Sequence, residues 1–154
     1  MRLLSIAACL FLTLTGVAAA QSFDTPQALL EAFYAPYIGD DMPEDNPSFR
    51  SEALQALYER DDELTPDGDL GALGFDPYVN GQDYQLSEFE VGEPLIDGDS
   101  AVVDVYFKTF GEPRSLTYEL VNEDGWKIDD VVSEEGEYPY RLSEIFEEAA
   151  AAAE

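Results

Sequence analysis

The chain has 154 residues, with 34 acidic against seven basic side chains, a formal net charge of −27 and no histidine. Such a surface repels nucleic acid and anionic lipid, and the missing imidazole excludes histidine-based triads, histidine metal sites and histidine proton relays. No Gly-rich phosphate loop of either standard pattern is present, so any chemistry has to come from Asp, Glu, Tyr, Lys or Arg.

The first twenty residues place Arg2 before an apolar run from Leu3 to Val17 and the small residues Ala18, Ala19 and Ala20. This pattern predicts a secretory signal peptide, residues 1–20, cleaved after Ala20, and hence a periplasmic or secreted protein. The run is shorter than a membrane span requires, so no membrane association is expected after cleavage. Ile6 to Cys9 resembles a lipoprotein box, but most of the apolar run would follow the cysteine. Cys9 is the only cysteine and leaves with the signal, so the mature chain has to be held together by core burial without disulfides. Loss of Arg2 leaves six basic against 34 acidic residues, a net charge of −28. Acidity of this kind fits a cationic partner, bound calcium or a salty habitat. Three Asp/Gly stretches, "TPDGDLGALGFD", "LIDGDSAVVD" and "VNEDGWKIDD", lack the alternating ligands and spaced glutamate of a calcium loop and read as turns. No metal site and no cofactor are expected.

In "FDTPQALLEAFYAPY", Thr25 is placed to cap a helix that Pro26 begins, and Leu29, Leu30, Phe33, Tyr34 and Tyr37 recur at helical spacing up to an end near Pro36. Asn46 and Pro47 repeat the device before Phe49, Ala53, Leu54, Leu57 and Tyr58, which predicts a second amphipathic helix. Residues 39 to 45 and 65 to 74 have loop composition. "GFDPYVNGQDYQLSEF", residues 74 to 89, reads as a structural loop first and a ligand site second. Pro77 fixes one backbone angle, Asn80 and Gly81 are suited to positive φ, and Asp76 is placed to accept from backbone donors just after it. Gln82 and Asp83 stand before the first strand, where they can satisfy backbone groups.

From Tyr84 the period becomes alternating. A strand around residues 85 to 93 ends or bulges at Pro94, and "DGD" at 97 to 99 links it to "SAVVDVYFKTF". There Ala101, Val103, Val105 and Phe107 share one face, and Val102, Asp104, Tyr106 and Lys108 share the other. "GEPR" at 111 to 114 links on to "SLTYELV", and "NEDG" at 122 to 125 to "WKIDDVV", completing a four-stranded antiparallel meander. A closing helix buries Leu142, Ile145 and Phe146 before an alanine-rich tail, residues 148–154. Residues 21–147 thus form a single α+β domain, helices covering the apolar face of the sheet. Asp129 and Asp130 point to opposite faces, and Arg141 is the natural cation for whichever is buried.

The helix pair, "DPYVNGQDY", "DGWKIDDV" and "YRLSEI" together resemble a family of small exported bacterial proteins carrying a domain of unknown function, grouped with the nuclear transport factor 2-like, or cystatin-like, cone folds. The resemblance covers residues 23 to 147 and implies a cone: N-terminal helices packed on a curved four-stranded sheet, with a C-terminal helix. It implies no settled activity. Related cone enzymes move protons with Asp and Tyr, for which Asp104 with Tyr106, or Asp83 with Tyr84, are the candidates. Asp104 and Tyr106 also suit an ordinary exposed strand face, and Trp126 an ordinary core aromatic.

The reading favoured by these residues is an exported, soluble binding or interaction module for an unknown small molecule or protein, with no catalytic residues assigned. Asp76, Tyr78, Gln82, Asp83, Tyr106 and Trp126 are its candidate binding residues. The alternatives are a small Asp/Tyr enzyme acting on an apolar substrate, and an acidic inhibitor or immunity-type protein that meets a cationic protein.

Overall fold

A computed structural model describes residues 22–39, 43–134, 136 and 138–153. The signal segment and its cleavage point lie outside them, as do three positions of the first connector.

Thr25 caps α1 (Pro26–Ile38), its hydroxyl accepting from the Ala28 N–H at 3.1 Å. The helix passes the expected end at Pro36 and closes on a bond from Gly39 N–H to the Ala35 carbonyl at 3.1 Å. A proline this close to the C-terminus removes only one donor from the ladder. Asn46 and Pro47 begin a separate 3₁₀ turn, Pro47–Phe49, rather than the second helix. That helix, α2 (Glu52–Leu64), has its own cap, the Ser51 hydroxyl, which accepts from Leu54 N–H at 2.9 Å. Two serviceable caps five residues apart compete, and the one followed by Pro and Phe gives a single tight turn.

Among the described residues the sheet has six strands: β1 (Leu86–Val91), β2 (Leu95–Asp97), β3 (Ser100–Thr109), β4 (Glu112–Asn122), β5 (Trp126–Ser133) and β6 (Tyr140–Arg141). Its order is β1-β3-β4-β5-β6, with β2 also on β3, and all the pairings are antiparallel. The four-stranded expectation is corrected in two places. β1 and β2 are one interrupted strand along the same edge of β3, broken around Pro94, which has no N–H for the ladder. β6 is a two-residue strand against β5, too short to leave an alternating signature. The link between β3 and β4 is also tighter than expected. Phe110 and Gly111, both at positive φ (51° and 81°), form the turn, and Glu112 to Arg114 belong to β4.

In β3 the odd-numbered residues from Ala101 to Thr109 are buried and the even-numbered ones outward, as the alternation requires. They face Leu116, Tyr118 and Leu120 of β4, Ile128 and Val131 of β5, and Leu29, Leu30 and Tyr34 of α1, which together make the core. α3 (Leu142–Ala152) adds Leu142 and Phe146 and stays helical through Ala152, with Ala150 buried, so the alanine run is ordered helix. The free edge of β5 is covered locally: Trp126 N–H donates to the Phe23 carbonyl at 2.9 Å, and Ser51 N–H donates to the Ile128 carbonyl at 2.8 Å. Covering the edge removes a template for pairing with another chain.

A bulge between β4 and β5 skips Asp129, since Glu119 pairs with Asp130 and Leu120 with Ile128. Asp130 and Val131 are therefore both buried. The Asp130 carboxylate accepts from Arg141 Nη1 at 2.8 Å, the Ser143 hydroxyl at 2.6 Å and the Ser143 N–H at 3.1 Å. Arg141 also makes a two-pronged bond to Glu119 at 2.7 and 2.9 Å. The expected Asp–Arg pairing is present, and Asp130 additionally supplies the cap that α3 does not find at its own N-terminus.

Candidate functional site

A cleft of about 830 Å³ lies between α1, residues 43 to 50, Tyr58 of α2 and the loop at residues 76 to 78. α1 contributes Phe33 and Tyr37, one turn apart on the face beside the one that buries Leu30 and Tyr34. Phe33 meets Tyr78 edge-on at 4.7 Å between centroids and Phe49 at 5.4 Å. Tyr58 and Tyr78 share a hydroxyl contact at 3.0 Å, and the Arg50 guanidinium lies 3.7 Å over the Tyr58 ring. Arg50 is 8% exposed, donates to Gln55 at 2.9 Å and pairs with Asp45 on the rim.

Asp76 is the half-buried carboxylate of this cleft, which the exposed Glu44 and Asp45 also line. One oxygen accepts from the Tyr78 N–H at 2.8 Å, and the other from the Tyr37 hydroxyl at 2.9 Å. Burial raises its pKa above the ordinary carboxylate value, and these two bonds oppose the rise without cancelling it. Burial, and then the neighbouring Asp76 charge, push the Tyr37 phenol well above its usual value, so at neutral pH it is a neutral donor.

The loop carrying Asp76 hangs from tyrosines of three elements. The Tyr34 hydroxyl, fully buried, donates to the Tyr78 carbonyl at 2.6 Å and contacts the Tyr118 hydroxyl at 2.7 Å. Tyr140 donates to the Pro77 carbonyl, and Asn80 donates to the Ser133 hydroxyl at 3.0 Å. Asp76 and Gly81 close the turn with reciprocal backbone bonds of 2.8 and 3.3 Å. Asn80 takes positive φ, at 51°, but Gly81 does not; a Cβ at Gly81 would instead press on the Asp83 carbonyl at 3.2 Å. At Gly81 it is close approach rather than backbone angle that opposes a side chain, since the Asp83 carbonyl would have to give by a few tenths of an ångström.

Of the six residues expected to bind, Asp76 and Tyr78 line the cleft together. Gln82 is exposed and donates to the Gly74 carbonyl at 3.1 Å, a backbone-satisfying role. Asp83 is exposed beyond the turn. Tyr106 lies on the outward face of β3 beside Asp104, whose carboxylate accepts from the Thr117 hydroxyl at 2.7 Å. Trp126 is 5% exposed in the core. Sequence reasoning did not assign Tyr37, Arg50, Tyr58, Phe33 or Phe49 to a site. The aromatic ones fit the helical stripes expected of them, although Phe49 lies in the 3₁₀ turn, and only the folded chain brings them to residues 76 to 78.

The chain is 33% identical over 107 residues to "Uncharacterized protein YqhG" of Escherichia coli (strain K12), a stretch that is 66% of this chain and 34% of that protein. The chain thus spans about a third of the length of this curated relative. It has, in consequence, a distant and uncharacterised bacterial relative. No family model matches the chain, and no solved structure matches it.

Proposed function

We propose that this chain is an exported, soluble binding module of the nuclear transport factor 2-like cone type, and that its ligand site is the aromatic cleft around Asp76. The observation that carries the reading is a polar group held in place inside an apolar wall: Asp76 fixed by Tyr37 and by the Tyr78 N–H, beside the rings of Phe33 and Tyr78. A concave, mostly aromatic pocket with a few convergent polar groups is the usual form of a small-molecule site. The cone assignment is supported by helices gathered over one face of an antiparallel sheet whose strands bulge at Ser87 to Glu90 and at Glu119 to Leu120, where a sheet bends.

Ligand-observed NMR with a mixed small-molecule library tests the reading. Hits are expected with the wild-type chain and are expected to vanish in Ala32→Phe, which fills the cleft wall, while thermal unfolding shows the variant folded. Hits that persist unchanged in Ala32→Phe, and in the rim variant Glu44→Trp, place the site elsewhere. Export is tested by intact mass: the protein recovered from the periplasm should begin at Gln21, and a mature chain beginning at a lipidated Cys9 would replace the soluble reading.

A further inference from the structure

Among the described residues, the charged side chains lining the cleft are the carboxylates Glu44, Asp45 and Asp76 and the guanidinium of Arg50. Arg50 is committed to Asp45, Gln55 and the Tyr58 ring, so its charge is already met. The carboxylate of Asp76 uses two acceptor positions of the roughly four that such a group offers. It is also under-solvated where it stands. An anion entering this cleft meets an excess of like charge, and a neutral ligand without a donor would strip water from Asp76 without replacing it.

The walls add a second, independent preference. Phe33, Tyr37, Phe49, Tyr58 and Tyr78 line the cleft. Faces of such rings attract cations, as the position of Arg50 over Tyr58 at 3.7 Å already shows within the protein. Around the cleft the whole chain carries a net charge of −27, a field that concentrates cations at its surface.

Resting on the proposal that this cleft is the ligand site, we infer that its ligand is an organic cation: an amine, guanidine or quaternary ammonium group carried on a small apolar body, with the charged head at Asp76 and the body against the rings. The same head group is presented by a free small molecule and by a lysine or arginine side chain of a basic protein. Burial favours the small molecule, since Asp76 is half-buried while Glu44, Asp45 and Asn46, which also line the cleft, are exposed.

Titration calorimetry of the full chain with matched probes tests this. The set is benzyltrimethylammonium, choline and agmatine, the neutral isosteres benzyl alcohol and 3,3-dimethylbutanol, the anion benzoate, and a lysine-rich peptide. The cations are expected to bind at least about tenfold more tightly than their neutral isosteres. Asp76→Asn and Phe33→Leu, each checked for cooperative melting, are each expected to weaken the cations about tenfold or more and to leave the isosteres nearly unchanged. Isosteres or benzoate binding as tightly as the cations would overturn the ligand class and leave the cleft as a binding site. No binding by any probe, together with no library hits, overturns both. Tight binding of the peptide with none of the small cations assigns the cleft to a basic protein and overturns the small-molecule form of the inference.

Discussion

Asp76 serves two masters, the turn that contains it and the helix it faces, and they make opposite demands on its charge. As acceptor for the Tyr78 N–H and the Tyr37 hydroxyl it stabilises the loop, while burial makes its ionised form costly and raises its pKa. A carboxyl raised in the folded state binds more protons there than in the unfolded chain, between its ordinary value and the raised one. Stability therefore falls as pH rises through that window and is recovered on acidification. The expected outcome is a melting temperature higher near pH 5 than at pH 7, with a difference that shrinks in Asp76→Asn. Asn keeps an acceptor for the Tyr78 N–H, and its amide can donate to the Tyr37 oxygen, so at pH 7 it should be nearly neutral. Asp76→Ala strands both donors and should lower stability by about 1 to 3 kcal/mol. A pH-independent difference between wild type and Asp76→Asn, or an Asp76→Ala variant as stable as wild type, would remove Asp76 from this role. The acceptor half of the role was legible in "DPYVNG", because an Asp bonding backbone two residues on is local chemistry. The Tyr37 half was not, since a hydroxyl 39 residues away on a helical stripe leaves no local trace.

At the scale of elements, the hairpin between β3 and β4 turns on Phe110 and Gly111, both at positive φ. Such turns match the right-handed twist of the flanking strands and favour Asn-Gly, not Phe-Gly. Phe110 is 61% exposed, so little burial offsets the left-handed backbone of a bulky residue. Phe110→Asn is expected to stabilise the chain by about 1 kcal/mol in denaturant unfolding with an unchanged m-value. A loss of stability would show that the exposed ring contributes more than the turn costs. The same hairpin explains why part of the sheet was misjudged from sequence. "GEPR" has turn composition, and Pro113 argues against a strand. Yet β5 begins to pair with β4 only at Thr117, so the proline sits where no second neighbour needs its N–H. The alternation of β3, the opening cap of α1 and the Asp–Arg pair at α3 were all readable because each rests on period or on the scarcity of cations. The break at Pro94 was readable, but β2 beyond it, β6 and the Ser51 cap were not, because pairing partners or competition between neighbouring caps decided them.

Over the whole molecule, the sequence sets 34 acidic residues against seven basic ones, and the ion pairs among the described residues range from exposed to half-buried. Lys108 reaches Glu88 at 2.7 Å with both side chains exposed, whereas Arg141 ties the half-exposed Glu119 and the buried Asp130 at 2.7 and 2.8 Å. Exposed pairs contribute little, so they do not offset the repulsion among the remaining carboxylates. That repulsion acts over distances that added salt screens, from about 30 Å at 0.01 M to about 8 Å at 0.15 M. Raising sodium chloride from about 10 mM to about 200 mM should therefore raise the melting temperature by several degrees, the shift expected for about 1 to 2 kcal/mol in a chain of this size. Among the described residues no three His, Cys, Asp or Glu side chains gather as a metal site. If diffuse screening is what salt supplies, calcium chloride acts only through ionic strength, matching magnesium chloride at equal concentration. If the melting temperature is flat in sodium chloride but rises steeply with low concentrations of calcium alone, the repulsion is being neutralised at a specific cation site, and diffuse screening is the wrong account of how this acidic chain stays folded.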